Sequence, residues 1–423
     1  MNFPESESYL FGLGNEVETM KLGLRNITLL LEALGRPERN YFKVQVAGTN
    51  GKGSVCAFLD SIAQAAGVCV GVYTSPHLVS IRERIRIQGL DIPESDFANE
   101  TTKVRTMAER LISEKEIAGR PTFFEHLTAM ALSYFARSGV RLAVLETGLG
   151  GRFDAVTAAS SEIKVISRID LDHQEYLGET ISRIAAEKAA IISPGNTVIV
   201  GEQHPEALDV IKEKCAETGI EPVFASEVSI RRSNGNLCFD VSDATICLKK
   251  LGLKGDHQVE NAKIAILAAL ALSEKFPIGT DEIAAGLENA VHPGRLEKIG
   301  RYLLDGAHNP SGAQSLKNYL LAESMRPSAT IFGAVAQKDI RGMLSQIAPL
   351  TGTLILTGFP NSRAFAPSEL AHLVAAEFPE ILIEIAHSPG EALAMVESIM
   401  PGKSLVVVTG SLYLVGEIRR LLL

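Results

Sequence analysis

Short apolar runs alternate, along almost the whole chain, with segments whose apolar residues recur every three or four positions. These patterns are typical of buried strands and of amphipathic helices. Their alternation predicts an α/β fold with mainly parallel sheets covered by helices. In the first part of the chain the predicted strands are 42–47, 68–73, 142–146, 163–167 and 197–200, and the predicted helices are 54–66, 94–116, 122–138, 180–192 and 205–218.

The pattern changes in segment 221–250, where short β-like runs surround Asn234-Gly235, a dipeptide that favours a hairpin turn. The runs are 228–232, 237–241 and 245–249. Two helices are predicted to follow them, at 258–273 and 281–290.

The stretch 292–295 breaks the helical pattern with Pro293-Gly294, and a new alternation begins after it. A chain of 423 residues is also too long for one ordinary core. We therefore expect two domains, 1–293 and 294–423. In the second domain the predicted strands lie near 301–305, 329–333, 353–357, 381–384 and 404–409, and the predicted helices near 311–323, 339–349, 367–377, 389–399 and 411–422.

The run GTNGKGS at 48–54 lies between a predicted strand and a predicted helix. Its glycines allow a tight turn that presents backbone N–H groups to an anion, the helix N-terminus adds partial positive charge, and Lys52 can reach terminal phosphates. The spacing differs from the usual P-loop, because Val46 stands at the first glycine position and Gly53 separates Lys52 from Ser54. A glycine-rich βα turn without a ligand is the alternative, but the lysine favours nucleotide phosphate.

A second glycine-rich segment, 147–151, follows the predicted strand 142–146, so that Glu146 ends the strand. Ligands of open α/β sheets bind at the carboxyl ends of the strands, where a carboxylate suits a Mg²⁺ ion shared with a nucleotide. A solvated strand-end glutamate is the alternative. A dinucleotide-binding fingerprint fits less well, since the glycine spacing differs and no helix clearly follows.

Two further residues could belong to such a site. His173, which closes the run DLDH, is either a metal ligand or a loop histidine with ordinary hydrogen bonds. Lys188 falls on the apolar face of the predicted helix 180–192, where a charge is costly unless it is paired, extends to solvent or is lost. Reaction with CO₂ would give a metal-binding carbamate, whereas a solvent-reaching or ion-paired lysine is the commoner case.

In the second domain, Asp305 and His308 belong to the run DGAHNP between a predicted strand and a predicted helix. These side chains could reach ribose and phosphate, and Arg295 could add a cation. The alternative is a simple turn at Asp305-Gly306 and a helix start at Asn309-Pro310.

The segment TFFE at 122–125 predicts a capping box that accounts for Thr122 and Glu125. We expect both phenylalanines in the core, with one of them facing a flat aromatic ligand as the alternative. The alternating arginines of 82–86 predict a solvated strand face, with contact to an anionic substrate tail as the alternative.

The net charge is −9 and no basic run is present, which argues against a nucleic-acid partner. The acidic N-terminus is not a signal peptide, and no apolar run reaches the length of a membrane span. The five cysteines form no even framework, so Cys56 and Cys69 are predicted to be buried thiols in a reducing cytosol.

Together these motifs resemble the folylpolyglutamate synthase/dihydrofolate synthase family of the Mur ligase superfamily. The GKGS form of the loop followed by DGAHNP is specific to this family. The matching segments are 21–24, 48–54, 73–77, 145–154, 171–173, 187–189, 292–295, 305–310, 337–339 and 410–413.

The resemblance implies an N-terminal P-loop ATPase domain and a C-terminal Rossmann-like domain with the active site between them. It implies ATP as co-substrate, two Mg²⁺ ions and, as an open alternative, a K⁺ ion. The implied ATP-binding residues are Thr49, Asn50, Gly51, Lys52, Gly53, Ser54, Asn261, Arg295 and Asp305. The implied catalytic residues are Lys52, His173, Lys188 and His308. The implied metal ligands are Ser75, Glu146, His173 and carbamylated Lys188. The implied pterin pocket contains Thr122, Phe124, Asp154 and Ala155, while Phe123, His126 and Phe153 differ from the pattern of bifunctional members.

The implied reaction activates a carboxylate of a folate-type acceptor as an acyl phosphate, which L-glutamate then attacks. The acceptor is dihydropteroate, a reduced folate or both, and the implied enzyme is a cytoplasmic monomer. A Mur-type ligase for UDP-linked muropeptides is the rival enzyme, but only about 40 residues precede the first strand, too few for its extra domain. A non-catalytic nucleotide-binding protein is disfavoured, because binding alone would not need Glu146, His173, Lys188 and Asp305 together.

Overall fold

The computed structural model describes residues 1–14, 23–242, 244–400 and 402–423, so Lys21 and Leu22 of the first family motif lie outside the described residues. The chain divides into two compact units. The first comprises Met1–His77, Ile81–Gly252 and Glu260–Val291, and the second comprises Leu78–Ser80, Leu253–Val259 and His292–Leu423.

The first unit is built on an eight-stranded sheet with the order β4-β3-β2-β5-β1-β6-β7-β8. Its strands are β1 Phe42–Ala47, β2 Val70–Tyr73, β3 Ile85–Ile87, β4 Leu90–Asp91, β5 Leu142–Glu146, β6 Ile163–Ile166, β7 Thr197–Val200 and β8 Val223–Phe224. All neighbours pair in parallel except β3, which is antiparallel to both β2 and β4. The predicted mainly parallel sheet is confirmed.

Ten helices accompany this sheet within the described residues. They are α1 Phe3–Phe11, α2 Arg25–Ala33, α3 Lys52–Ala65, α4 Glu94–Ser113, α5 Phe123–Arg137, α6 Gln174–Leu177, α7 Ile181–Ala189, α8 Pro205–Thr218, α9 His257–Leu272 and α10 Thr280–Asn289. The sequence analysis missed α1 and α2. In α2 the signal is present, since Ile27, Leu30 and Leu31 recur at helical spacing and are fully buried.

A small antiparallel sheet contains β9 Ser229–Ser233, β10 Asn236–Val241 and β11 Ala244–Leu248. Asn234 and Gly235 both have positive φ, as the predicted hairpin turn requires. Cys238 and Cys247 lie opposite each other on β10 and β11 and form a disulfide. The expectation of cysteines without a framework is therefore wrong for this pair, because sheet register brings together residues whose spacing is uninformative.

The second unit has a six-stranded sheet with the order β12-β13-β17-β14-β15-β16, in which only β12 is antiparallel to its neighbour. Separate apolar clusters cover its two faces, one including residues of α11 to α13 and the other residues of α14 and α15. The strands are β12 Glu297–Ile299, β13 Tyr302–Leu304, β14 Ala329–Phe332, β15 Thr353–Thr357, β16 Leu382–Ala386 and β17 Val406–Thr409. The helices are α11 Pro310–Ala322, α12 Ile340–Ile347, α13 Pro367–Glu377, α14 Pro389–Ile399 and α15 Leu412–Leu422.

Two local predictions are wrong. The arginines of 82–86 do not form a solvated strand face, because Ile81–Arg84 is a 3₁₀ turn and Arg84 is buried. Its Nε donates to Nδ1 of His77 at 2.8 Å, and its guanidinium lies over the ring of Phe123. Cys56 is buried as predicted, whereas Cys69 is only partly buried.

No helix in the described part of the chain combines the length and apolarity needed to cross a bilayer.

Candidate active site

The segment 48–54 connects β1 to α3, as its sequence predicts. Gly51 precedes the helix with a φ of 89°, and Gly48 has a φ of 148°. A Cβ on Gly48 would lie 2.0 Å from Oγ of Ser167, so this position needs glycine for space as well as for conformation. The loop therefore presents the N-terminus of a 14-residue helix, the geometry that binds phosphate groups.

Residues after β6 hold this loop in place. The backbone N–H groups of Thr49 and Asn50 both donate to the carbonyl of Arg168, at 2.8 and 3.1 Å. The hydroxyl of Thr49 donates to the carbonyl of Asp170, and the amide of Asn50 donates to its carboxylate, each at 3.0 Å. Sequence reasoning did not find this role of Asp170, because nothing in a run of residues links positions 120 apart.

Two lysines converge on one carbonyl of the loop. Nζ of Lys52 donates to the carbonyl oxygens of Gly48 and Thr49, at 3.1 and 3.2 Å. Nζ of Lys188, on α7, donates to the same oxygen of Gly48 at 2.8 Å. Lys188 is 5% exposed, which excludes the alternative in which it reaches solvent.

The environment of Lys188 favours its neutral form. Burial, aided by the positive charge of Lys52, lowers the pKa of Lys188 to about 7, while the carboxylates of Asp172 and Asp154 act in the opposite direction. A buried amine with this pKa is a nucleophile at neutral pH, and only an uncharged amine can react with CO₂.

Glu146 ends β5 and is 5% exposed, which excludes the solvated strand-end alternative. Its Oε2 accepts the backbone N–H of Ser75 at 3.1 Å, so the structure brings these two predicted metal ligands together. His173 precedes α6 with a φ of 50°, and its side chain is 34% exposed. Its Nε2 lies 3.9 Å from Oδ2 of Asp172, one of the carboxylates that act on Lys188.

The donor set of this site is rich in oxygen and sparse in protein ligands. Among the described residues, no three His, Cys, Asp or Glu side chains form a group that could hold a metal ion by themselves. Mg²⁺ typically takes one or two protein carboxylates and completes its coordination with substrate phosphates and water. A hydroxyl and a carboxylate next to a phosphate loop fit that preference.

The segment 147–157 after Glu146 is organised around Asp154. Oδ2 of Asp154 accepts the N–H groups of Gly148 and Leu149, both at 2.9 Å, and Oδ1 accepts that of Val156 at 3.0 Å. The ring of Phe124 lies against Gly148, where a Cβ would be 2.6 Å from Cζ. The structure thus brings Phe124, Asp154 and the adjacent Ala155 together at one loop.

Thr122 caps α5 with the predicted capping box: Oγ1 accepts the N–H of Glu125 at 3.2 Å, and Oε2 of Glu125 accepts that of Thr122 at 2.7 Å. Phe123 is buried as expected, and Phe11, which is 52% exposed, stacks on it with ring centroids 5.9 Å apart. Phe124 is only partly buried, unlike the core residue that was expected.

The remaining ATP-site candidates lie in different units. Asn261, on α9 in the first unit, packs against the phosphate loop, since a Cβ on Gly51 would lie 2.3 Å from its Oδ1. In the second unit, Asp305 follows β13, and its carboxylate accepts the N–H groups of Leu296 and Ala307, each at 3.0 Å. Burial raises the pKa of Asp305, while the positive charge of Arg295 lowers it.

The run DGAHNP also has the structural role given as its alternative. The side chain of Asn309 caps α11 by accepting the N–H of Gly312 at 2.8 Å, and Pro310 is the first helical residue. Nδ1 of His308 pairs with the carbonyl of Gly306 at 2.9 Å.

His257 is a titratable residue that the sequence did not single out. Burial and then the positive charge of Arg295 lower the pKa of His257 to about 4.

Comparison with known proteins identifies the family. The model for the Mur ligase middle domain matches residues 46–269, and the model for the dihydrofolate synthetase C-terminal domain matches residues 294–421. A folylpolyglutamate synthase from Lacticaseibacillus casei is 33% identical over 440 residues, which cover 100% of this chain and 99% of the relative. The chain belongs to the folylpolyglutamate synthase/dihydrofolate synthase family.

Other members of the family agree over nearly the full length. A dihydrofolate synthase/folylpolyglutamate synthase from Bacillus subtilis is 33% identical, with 95% of each chain covered. The folylpolyglutamate synthase of Mycobacterium tuberculosis, solved with ADP and AMPPCP, superposes with a TM-score of 0.90 at 29% identity, covering 99% of this chain and 98% of its own. E. coli FolC in complex with DHPP and ADP gives 0.87 at 29% identity, covering 100% and 97%. Family membership confirms the resemblance seen in the motifs and disfavours the Mur-type alternative.

Proposed function

We propose that this protein is an ATP-dependent, ADP-forming ligase that joins L-glutamate to a folate-type acceptor through an acyl phosphate. The observation that carries the proposal is the convergence of Lys52 and Lys188 on the Gly48 carbonyl of the phosphate loop. Relatives with the same fold bind ADP, AMPPCP and DHPP, which supports both halves of the reaction.

The phosphate loop binds the nucleotide in this proposal. Its helix N-terminus and Lys52 offset the charge of the phosphates, which a net-acidic protein must do locally. Asn261 borders the nucleotide, and Arg295, Asp305 and His308 are further proposed nucleotide-binding residues. The proposed domains are 1–293 and 294–423.

Ser75 and Glu146 would hold one Mg²⁺ ion, and His173 with a carbamylated Lys188 would hold a second. The bound ions neutralise charge on the transferring phosphoryl group. For the carbamate, the neutral Nζ of Lys188 bonds to the carbon of CO₂ and releases one proton, which leaves a carboxylate in place of an uncharged amine. A buried amine whose pKa is lowered by burial, next to the phosphate loop, is suited to this change.

The acceptor lies against Thr122, Phe124, Asp154 and Ala155. Phe124 offers a partly exposed ring to a flat pterin, and a bound ring would stack on it or meet it edge-on. A carboxylate is a poor acyl donor, so transfer of the γ-phosphoryl group creates the leaving group that the glutamate amine displaces. The chain supplies position and fixed charge for both steps. We further propose a monomer that acts in the cytoplasm on small-molecule substrates.

The test uses purified protein with ATP, Mg²⁺ and labelled L-glutamate, offered dihydropteroate and tetrahydrofolate in parallel. We expect labelled product and ADP with at least one acceptor. A UDP-linked muropeptide with its amino acid is the control and should give no product. Absence of incorporation with both folate-type acceptors would refute the proposed reaction.

A further inference from the structure

The central strand β1 carries polar residues where a buried parallel strand is normally apolar. Gln45 has no exposed surface, and Lys164, its register partner on β6, is 2% exposed. Strands covered on both faces are typically near-continuous runs of Val, Ile and Leu. Burying an amide and an amine here costs free energy unless both are hydrogen-bonded.

The two side chains are hydrogen-bonded to each other, and Gln45 is also hydrogen-bonded to residues outside the two strands. Nζ of Lys164 donates to Oε1 of Gln45 at 2.8 Å. Nε2 of Gln45 donates to the hydroxyl oxygens of Thr157 at 2.9 Å and Thr147 at 3.2 Å. The hydroxyl of Thr157 in turn donates to the carbonyl of Gly151 at 2.8 Å.

Chemistry fixes the direction of this chain. Thr157 has a single hydroxyl proton, which it gives to Gly151, so its oxygen must accept from Gln45. The amide nitrogen of Gln45 therefore faces the threonines, and its oxygen faces the lysine. Glutamine meets this demand because it accepts at one end and donates twice at the other.

The threonines lie at the two ends of the segment 147–157, here named the acceptor loop because the acceptor is proposed to bind against it. Thr147 directly follows Glu146, and Thr157 lies two residues after Ala155. Gln45 thus donates hydrogen bonds to both ends of the loop, while Asp154 accepts hydrogen bonds from backbone N–H groups within it. The phosphate loop is hydrogen-bonded to a different set of residues, within 167–170.

We infer that Gln45, oriented by Lys164, is a positioning residue that sets the geometry of the acceptor loop for catalysis. It touches neither substrate nor nucleotide. This inference rests on the proposed placement of the acceptor against Asp154 and Ala155. A shift of about 1 Å in such a support can cost on the order of 10²-fold in rate.

Two substitutions break the network at different points. Thr157→Val keeps the shape but removes the link between Gln45 and Gly151. Gln45→Glu keeps an oxygen for Lys164 but removes both N–H donors. The control is Thr101→Val on α4, which removes a buried hydroxyl that likewise donates to a backbone carbonyl, that of Phe97.

We expect both network variants to lower kcat/KM for the folate-type acceptor by roughly 10- to 100-fold, with KM for ATP at the wild-type value. Thr101→Val should change thermal stability without this kinetic split. Kinetic constants of the network variants that match those of Thr101→Val would overturn the inference. If Gln45→Glu does not fold, Thr157→Val alone decides.

Hydrogen exchange over 147–157 separates this inference from the proposed reaction. Faster exchange in Thr157→Val than in Thr101→Val is expected whether or not turnover is observed. Unchanged protection refutes the positioning role even if the enzyme is active. An inactive wild-type enzyme with a loosened loop in the variant would refute the proposed reaction and retain the structural link.

Discussion

At the residue scale, the chemistry depends on a few side chains whose surroundings change their ordinary behaviour. Lys188 is the clearest case, since a lysine in an apolar helix face is usually explained by contact with solvent. Here the helix turns it inward onto the Gly48 carbonyl. The sequence indicated that Lys188 is unusual, and the fold shows that its hydrogen-bond partner is the Gly48 carbonyl.

Lys188→Ala is expected to remove glutamate addition, because the substitution removes the proposed carbamate, which would be a ligand of the second metal ion. Small carboxylic acids such as acetate should restore part of the activity by occupying the space. In ¹³C-bicarbonate the wild-type protein should give a carbamate carbon signal by NMR. A wild-type spectrum without that signal, together with no rescue by acetate, would contradict carbamylation.

Lys52→Ala and Glu146→Gln are each expected to lower kcat by about 10²–10³, the usual cost of losing one preorganised charge partner. Steady-state phosphate release dependent on both glutamate and acceptor measures this. Lys103→Ala, which removes a lysine bonded to Ser133 on α5, is the control and should keep wild-type turnover. Turnover close to wild type in Lys52→Ala would exclude its proposed role.

His126 should make stability depend on pH. Its Nε2 pairs with the Tyr9 hydroxyl at 3.1 Å, and burial lowers the pKa of His126 from 6.5 to about 4. The unfolded chain takes up a proton below about pH 6.5 while the folded state does not, so stability is complete above that pH and falls as the pH approaches 4. The loss should reach up to about 3 kcal/mol.

Urea unfolding at pH 7 and at pH 4.5 tests this. His126→Gln should flatten the acid-side decline, whereas the exposed His387→Gln should leave it as in wild type. Equal declines in all three proteins would show that His126 does not contribute.

At the element scale, close packing against α10 fixes the position of α3, the helix that begins with Lys52. α3 packs against α10 at Gly286, where a Cβ would lie 2.4 Å from Cα of Ile62. Backbone atoms cannot move aside as a flexible side chain does. The position of the phosphate loop therefore depends on a glycine about 230 residues downstream of it.

Gly286→Ala is expected to destabilise the protein by about 1–3 kcal/mol, despite the higher helix propensity of alanine, because it overpacks α3 against α10. Gly390→Ala on α14 is the matched control, since a Cβ there has no atom within 4 Å. That change should be neutral or slightly stabilising. Thermal unfolding of both variants gives the comparison, and a Gly286→Ala protein as stable as wild type would show that the helices can separate without cost.

At the scale of the whole molecule, nucleotide binding at the proposed site should be coupled to folding. A ligand that binds only the folded state stabilises it by mass action, so nucleotide should raise the unfolding temperature. ADP with Mg²⁺ at 100 times its Kd should add about 2.7 kcal/mol. EDTA should reduce this gain, because the Ser75–Glu146 pair is proposed to bind the ion together with phosphate.

Calorimetry with ADP, with and without EDTA, measures this effect. Lys52→Ala should lose most of the ADP-dependent shift while unfolding at a similar temperature without ligand. A shift that is equal in wild type and Lys52→Ala would place the nucleotide elsewhere.

The sequence by itself determined most of the succession of strands and helices, though not α1 and α2, together with the mainly parallel sheets and the family. These depend on local periodicity and on motifs such as 48–54 and 305–310, which can be recognised from the sequence alone. It also predicted the capping box at Thr122, because a cap involves residues three apart. It did not reveal the burial of Arg84, since the 3₁₀ turn before β3 depends on the packing around it.

Only the tertiary structure decided which distant groups meet. Lys188 and Gly48 are 140 residues apart, and Gln45 and Thr157 are 112 apart. Such pairs form because the parallel sheet and the helices and loops packed on it bring together segments far apart in the chain, and no run of residues encodes that adjacency. The same holds for the cross-strand disulfide, whose partners are joined by sheet register.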